Sequence, residues 1–352
     1  MNAFAAAVHA TTAATRAAAF PHRRGTDCVT AALRNLLESQ GLPLRENMVF
    51  GLGEGLWYWH CDLADAPFPV LIGQHIGIEE LFCRRLGIGL TVHEPRDAQD
   101  GRVALERVRA GIPTLVKADP FYLDYMWREL PDQERQHFGE HILLLVAADD
   151  EVAWISDIIS DTLERVPLAQ LEQARHASDG FEFLRPRGRW YELRYPRVCR
   201  PLDGAVRDAI ASTAHTLLEG TGSFGISGIR RSATQLGAFL AQGLRERPAD
   251  TRFALWIIVQ RLAEGTGTCF RQPFFDFLRH AGQRDLLAVA DHYAEPVTGL
   301  WRHVIELLGG LADESIVPAA VEAALEHVGT TLTAVAEREE EMCTWLIQTC
   351  AR

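Results

Sequence analysis

The stretch HRRGTDCVTAALRNLLESQG, His22 to Gly41, sets one cysteine just ahead of an amphipathic run. Val29, Ala32, Leu33, Leu36 and Leu37 recur at three- and four-residue intervals. The spacing predicts a helix from Cys28 to Gln40, stopped by Gly41 and Pro43. Thr26 or Asp27 can cap its start, which puts Cys28 in the first turn. Free main-chain N–H groups there favour a thiolate and can receive the oxyanion of a tetrahedral intermediate. Asp27 opposes the thiolate if its charge faces the sulfur, and spares it if the side chain turns away as the cap. Taken alone, Cys28 fits a small buried hydrophobe better than a nucleophile. Chemistry requires a base.

His141 supplies one. It opens HILLLVAADDEVAWISDII, two apolar strands around a turn at Asp149–Asp150. With residues 148–150 as the bend, His141 falls opposite Asp157, and opposed residues of neighbouring antiparallel strands share a face. Asp157 would fix the ring's tautomer and support the imidazolium, leaving the other nitrogen for Cys28. Cys28, His141 and Asp157 then form a catalytic set for covalent acyl chemistry.

Two further motifs are weaker. HFGEH, His137 to His141, matches an inverted zinc-peptidase pattern, but that chemistry needs both histidines on one helix. Gly139 interrupts the motif and a strand pattern follows at once, so no metal site is expected. GLGEG, residues 51–55, lacks the preceding strand and the Gly-Lys-Ser/Thr of a phosphate loop. It is expected instead to shape a pocket wall leading into LWYWH, with Trp57 in that wall. Glu54 there either meets a cationic substrate or is a solvated loop acid.

The elements that must hold these residues follow from the pattern along 352 residues, a length that points to two domains. GIEELFCRRLG, GRVALERVRAG and VPLAQLEQARHA have helical spacing; GLTVHE, IPTLVKAD, HILLLVAAD and EVAWISDII are strand candidates. A breaker-rich basic stretch, RPRGRWYELRYPRVCRPLDG, carries the chain into an almost wholly helical second half. Its stripes, including Trp256, Phe274, Phe275 and Trp301, are expected in the core. The boundary is expected near 195–205, giving domains 20–198 and 199–350.

Net charge is −12, which disfavours nonspecific nucleic-acid binding and suits cationic partners. The longest apolar runs are too short to cross a bilayer, and the alanine-rich first twenty residues lack the basic n-region of a secretory signal. The seven cysteines form no CxxC pair or metal cluster, an odd count that suits reduced cytoplasmic thiols.

In order along the chain, MVFGLGEGLWYW, LFCRRLGIGLTVHEP, RVRAGIPTLVKAD and HFGEHILLLVAADDEVAWISD make the sequence similar to the butirosin biosynthesis protein H family. GSFGISGIRR and EGTGTCFRQPFFDFL sit where that family's helical domain carries a glycine-rich segment, so the resemblance spans residues 20 to 345. It implies an α+β chain, a papain-like, peptidase C39-like N-terminal domain followed by a mainly α-helical C-terminal domain. The family's nucleophile, histidine and acid map onto Cys28, His141 and Asp157. Family members commonly place a histidine immediately before the cysteine, whereas here His22 stands six residues upstream. His22 is expected to shape the oxyanion site, bind a carrier or do nothing special. In GTGTC a threonine replaces a glycine, and Cys269 beside it is expected to be structural.

The resemblance further implies acyl transfer from the phosphopantetheine thioester of an acyl carrier protein to a small-molecule amine or polyamine, with no cofactor of the protein's own. Arg185, Arg187, Arg189, Arg194 and Arg197 are expected to dock the acidic carrier. A cysteine peptidase or thioester hydrolase would use the same three residues, and a non-catalytic carrier-binding protein would need none of them in contact. Neither the acyl group, the acceptor nor the oligomeric state is legible.

Overall fold

The computed structural model describes residues 12–62, 68–95, 98–128, 135, 137–180, 182–196, 201–312 and 318–351. The start of the alanine-rich arm, Arg197, Cys199 and the expected 198/199 boundary lie outside them. The chain forms two compact units, one of residues 1–44 with 89–195 and the other of 45–88 with 196–352. The segment 45–88, expected in the first domain, therefore packs with the helical half.

The first unit is built on a six-stranded, wholly antiparallel sheet in the order β3-β8-β4-β5-β6-β7. These strands are β3 (Gly89–His93), β4 (Thr114–Ala118), β5 (His141–Ala148), β6 (Val152–Ser156), β7 (Glu164–Pro167) and β8 (Trp190–Arg194). Every residue of β5 is buried, because a central strand covered on both faces needs no polar side. Helices α1 (Ala13–Ala18), α2 (Cys28–Ser39) and α5 (Ala98–Arg109) pack on β5, and α6 (Leu168–Arg175) packs on β4, β6 and β7. Leu143 and Leu145 of β5 join Val108, Val116, Ile155, Val166, Leu171, Tyr125 and Trp190 in one apolar cluster. Strand β8 lies inside the stretch expected as a breaker-rich connection. Its Trp190 and Tyr191 are buried between β3 and β4, and that tertiary burial overrides the flanking prolines and glycines.

The second unit contains α3 (Glu46–Leu52), α4 (Ile78–Leu86), the antiparallel pair β1 (Leu56–Cys61) and β2 (Val70–Gln74), and helices α7 (Leu202–Glu219), α8 (Gly225–Glu246), α9 (Pro248–Gly267), α10 (Arg271–His280), α11 (Arg284–Gly310) and α12 (Pro318–Cys350). Phe274, Phe275 and Trp301 are buried as expected, whereas Trp256 is half-buried against exposed Phe253. At the centre Arg271 makes a paired contact with Glu339 at 2.7 and 2.9 Å, and Trp301 Nε1 donates to the same carboxylate at 2.8 Å. Paired and fully hydrogen-bonded, both charges tolerate burial.

One glycine fixes the entry to β5. A Cβ on Gly139 would stand 2.3 Å from the Leu184 carbonyl oxygen and 2.3 Å from Pro186 Cδ. Neither neighbour is a flexible side-chain end. Gly139→Ala is expected to push the 137–141 segment off residues 184–186 at a cost of about 1–3 kcal/mol, measured by urea unfolding.

Candidate active site

Cys28 opens α2, and Asp27 is its N-cap, accepting the Thr30 N–H on Oδ1 at 2.8 Å. The residue is half-buried. The His141 ring and the Ile142 N–H stand beside its sulfur and favour the thiolate. His141 Nε2 lies 3.0 Å from both oxygens of Asp157, so Nδ1 is the ring nitrogen left for sulfur. Asp157 also accepts the Tyr125 hydroxyl on Oδ2 at 2.6 Å and the Ile158 N–H on Oδ1 at 2.7 Å. Cys28, His141 and Asp157 thus stand in line, with the His141–Asp157 pair hydrogen-bonded.

The register differs from the expected one. Leu144 pairs with Ser156 and Leu145 with Ile155, which on continuation sets Asp157 across from Leu143, two residues beyond His141. The bend falls later than expected because Asp149 closes it, accepting the N–H groups of Glu151 and Val152 at 2.8 Å each. A shift of two keeps the face, and a diagonal neighbour is still within side-chain reach.

Burial pushes the Cys28 thiol up and the Asp27 charge adds to it. His141 and the Ile142 N–H pull the other way without reversing the shift. This corrects the expectation of a first-turn thiolate. Asp27 does turn to Thr30, yet its charge stays beside the sulfur, and desolvation outweighs the helix terminus. Burial alone would lower the His141 pKa, but the charges of Asp157 and Cys28 hold it well above its ordinary value. Burial likewise opposes the Asp157 carboxylate, and His141 and the two further donors bring its pKa down.

The remaining expected residues do other work. His22 Nε2 donates to the Ser160 carbonyl at 2.8 Å, and Nδ1 meets the Ser156 hydroxyl at 2.8 Å, so neither nitrogen is spare for an oxyanion. The ring ties the segment before Cys28 to the end of β6. Asn35 reinforces the tie, donating to Ser156 Oγ and to the Arg23 carbonyl. Glu54 belongs to the helical unit and is buried, ion-paired to Arg85 and accepting the Ser212 hydroxyl at 2.7 Å. Neither oxygen is left to greet a cationic substrate. Trp57, also in that unit, stacks on Phe224 at 5.4 Å between centroids and leans on Trp59 and His75.

Cys269 is buried beside Arg271, and burial pushes its thiol up to about 12, consistent with a structural residue. His137 and His141 lie on a loop and a strand and face different carboxylates, Asp119 and Asp157, which separates the two histidines of HFGEH. Among the arginines expected to dock a carrier, Arg187 and Arg189 pair with Glu94, Arg189 also with Glu140, and Arg194 with Glu192, while Arg187 and Arg194 stay exposed. Arg197 is outside the described residues.

Tyr125 and the Ile142 N–H were not legible in the sequence. Tyr125 sits in a short 3₁₀ turn, Asp124–Trp127, with no periodicity to mark it.

A cysteine at the mouth of a helix, facing a histidine at the start of a sheet strand, defines an α+β protein of papain-like, peptidase C39-like architecture with a helical companion. Two family models match: butirosin biosynthesis protein H, N-terminal, over residues 27–158, and the domain of unknown function DUF4872 over residues 169–346. The chain belongs to the butirosin biosynthesis protein H family. The two matches do not follow the spatial units: the first includes 45–88 and the second takes in α6 and β8. A search of curated proteins found no match to the chain. Among the described residues no helix is long and apolar enough to cross a membrane.

Three outcomes follow from these charges and hydrogen bonds. Alkylation of Cys28 by iodoacetamide should rise with pH, since the raised thiol yields thiolate only above its pKa. Asp27→Asn, which removes a charge but keeps an acceptor for Thr30, should move that midpoint to lower pH. Tyr125→Phe should cost about 1.5–3 kcal/mol in chemical denaturation, the usual worth of a hydrogen bond to a charged group.

Proposed function

We propose that this protein is a cysteine-dependent acyltransferase. It takes an acyl group from the phosphopantetheine thioester of an acyl carrier protein and delivers it to a small amine or polyamine, forming an amide. The observation that carries this reading is the line Asp157–His141–Cys28 with a half-buried sulfur at a helix N-terminus. Family membership supports the donor class, and the net charge of −12 suits a cationic acceptor.

The chemistry runs through the coupled Cys28–His141 pair, whose protons belong to both groups. Once the pair has lost one proton, thiolate and imidazolium face each other, with Asp157 supporting the positive ring. The sulfur attacks the thioester carbon. The Cys28 and Val29 N–H groups, which precede the Thr30 N–H held by the Asp27 cap, are the donors for the oxyanion. His141 gives its proton to the departing pantetheine sulfur, leaving acyl-Cys28. An amine then attacks the acyl carbon, the C–S bond breaks, and the amide leaves. His141, left neutral by the first step, takes the proton that the neutral amine sheds as the amide forms, which restores the imidazolium beside the Cys28 thiolate. Asp157 is a positioning residue: it fixes the ring so that Nδ1 faces sulfur.

Incubation with an acyl-thioester donor, followed by intact-mass analysis, tests the reading. Wild type should gain one acyl group on Cys28 that persists in water and is discharged by amines. Cys28→Ala should gain none, and His141→Ala should acylate about a thousandfold slower or worse. Rapid loss of the adduct in water without an amine would mark a hydrolase; no adduct would point to a non-catalytic carrier-binding protein.

A further inference from the structure

Behind the His141–Asp157 pair stands Tyr125. Its ring packs in the apolar cluster with Leu143, Leu145 and Ile155, a place that a phenylalanine ring would fill as well. The hydroxyl is the part that packing does not explain. Buried, it is costly without an acceptor, and it finds one in Asp157 Oδ2 at 2.6 Å.

That bond has a geometric consequence. The last side-chain torsions of aspartate and histidine are broad rather than staggered, so contacts must set the planes of both groups. Both Asp157 oxygens lie 3.0 Å from His141 Nε2, which leaves the carboxylate free to turn beneath the ring unless other donors hold it. The Ile158 N–H holds Oδ1 at 2.7 Å, and Tyr125 holds Oδ2. Two fixed oxygens define a plane, and the ring that donates to them is aligned with it. Cys28 is the thiol beside that ring.

Tyr125 is delivered by a short arm that leaves β4 at Asp119. The chain forms two 3₁₀ turns, Pro120–Tyr122 and Asp124–Trp127, and Trp127 Nε1 closes the arm on itself by donating to the Pro120 carbonyl at 2.7 Å. Two contacts fasten it to its surroundings. Gln170 of α6 donates to Asp124 Oδ2 at 2.8 Å, and Arg128 makes a paired contact with Glu164 of β7 at 3.1 and 2.8 Å. The Arg128 side chain is 62% exposed, so it can be changed without opening the core.

We propose that Tyr125 is a positioning residue for acyl transfer. Its hydroxyl fixes the plane of Asp157 and through it the His141 ring, and the arm that Arg128 fastens holds the hydroxyl in place.

The inference rests on the acyltransferase reading, and two readouts on Cys28 separate the two. Tyr125→Phe, assayed well below its unfolding midpoint, should slow acylation by about tenfold, the effect of a misaligned ring. The KM for the thioester donor should stay within about twofold of wild type, because alignment rather than binding is lost. Alkylation by iodoacetamide should move to higher pH, since a misaligned imidazolium favours the thiolate less. Placing 4-aminophenylalanine at position 125 restores an N–H donor and should recover most of both. In an Asp157→Ala background, Tyr125→Phe should add less than about twofold, because it acts through the missing carboxylate. Arg128→Met should slow acylation by about threefold and add nothing once position 125 is phenylalanine. Full-rate acylation by Tyr125→Phe, a loss carried in KM, or losses that add to that of Asp157→Ala overturn the positioning role and leave the acyltransferase standing. If Tyr125→Phe is too unstable to assay, an unchanged rate in Arg128→Met overturns it. Wild type that fails to acylate overturns the acyltransferase, and the alkylation profiles still decide whether Tyr125 aligns the pair.

Discussion

The buried carboxylate of Asp157 is the constraint on which the site depends. A carboxylate taken out of water costs several kcal/mol unless its lone pairs are met, and removing one partner of a buried pair leaves a charge uncompensated. Asp157 meets that demand with three separate parts of the chain: the His141 ring from β5, the Tyr125 hydroxyl from a 3₁₀ turn, and its neighbour's N–H. Each of these is thereby oriented. The His141 ring, held by Nε2, has only Nδ1 left to present, and Cys28 is the thiol beside that ring. One charge thus sets a tautomer, a ring plane and the state of its neighbour.

A second group of polar contacts places the sulfur. The helix that begins at Cys28 carries Arg34 and Asn35 on a buried face, where unpaired polar atoms would be costly. Arg34 bonds backward to the carbonyls of Arg23 and Arg24, Asn35 to that of Arg23, and Asn35 shares Ser156 with His22. The chain entering α2 is tied at once to the helix it is about to form and to the strand that ends at Ser156, just before Asp157. The two halves of the line are therefore fixed against each other by contacts that never touch the sulfur. The helical unit shows the contrasting use of buried charge. Arg271 and Glu339 satisfy each other, with Trp301 and main-chain carbonyls taking up what is left. A cluster so complete supports packing and leaves no group free for chemistry.

What the sequence disclosed tracks the physics of each residue's setting. Helix α2 and the β5–β6 hairpin were legible because their apolar periods are long and uninterrupted. The pairing of His141 with Asp157 emerged from a register in error by two residues, since a strand's faces alternate with period two and an even error keeps them. Tyr125 and strand β8 were hidden, one in a turn and one among breakers, because tertiary burial rather than local pattern places them. The segment 45–88 was assigned by its order in the chain, which says nothing about which core it joins. Glu54 and Arg189 were visible as charges, but partners distant in sequence, Arg85 and Glu94, decide how far each charge is available.

The direction of the Cys28 shift carries a broader consequence. A helix terminus favours an anion by a modest amount, whereas burial and a neighbouring carboxylate both oppose it, and the sum leaves a thiol rather than a standing thiolate. Such a sulfur is protected from casual oxidation or alkylation and reacts when the pair it forms with His141 sheds a proton. In the proposed reaction, His141 is neutral once its proton has gone to the departing sulfur, and Asp157, by favouring the charged ring, makes it the stronger base for the next step. That base serves water and amine alike, so a preference for nitrogen over water rests on how the pocket excludes the one and positions the other.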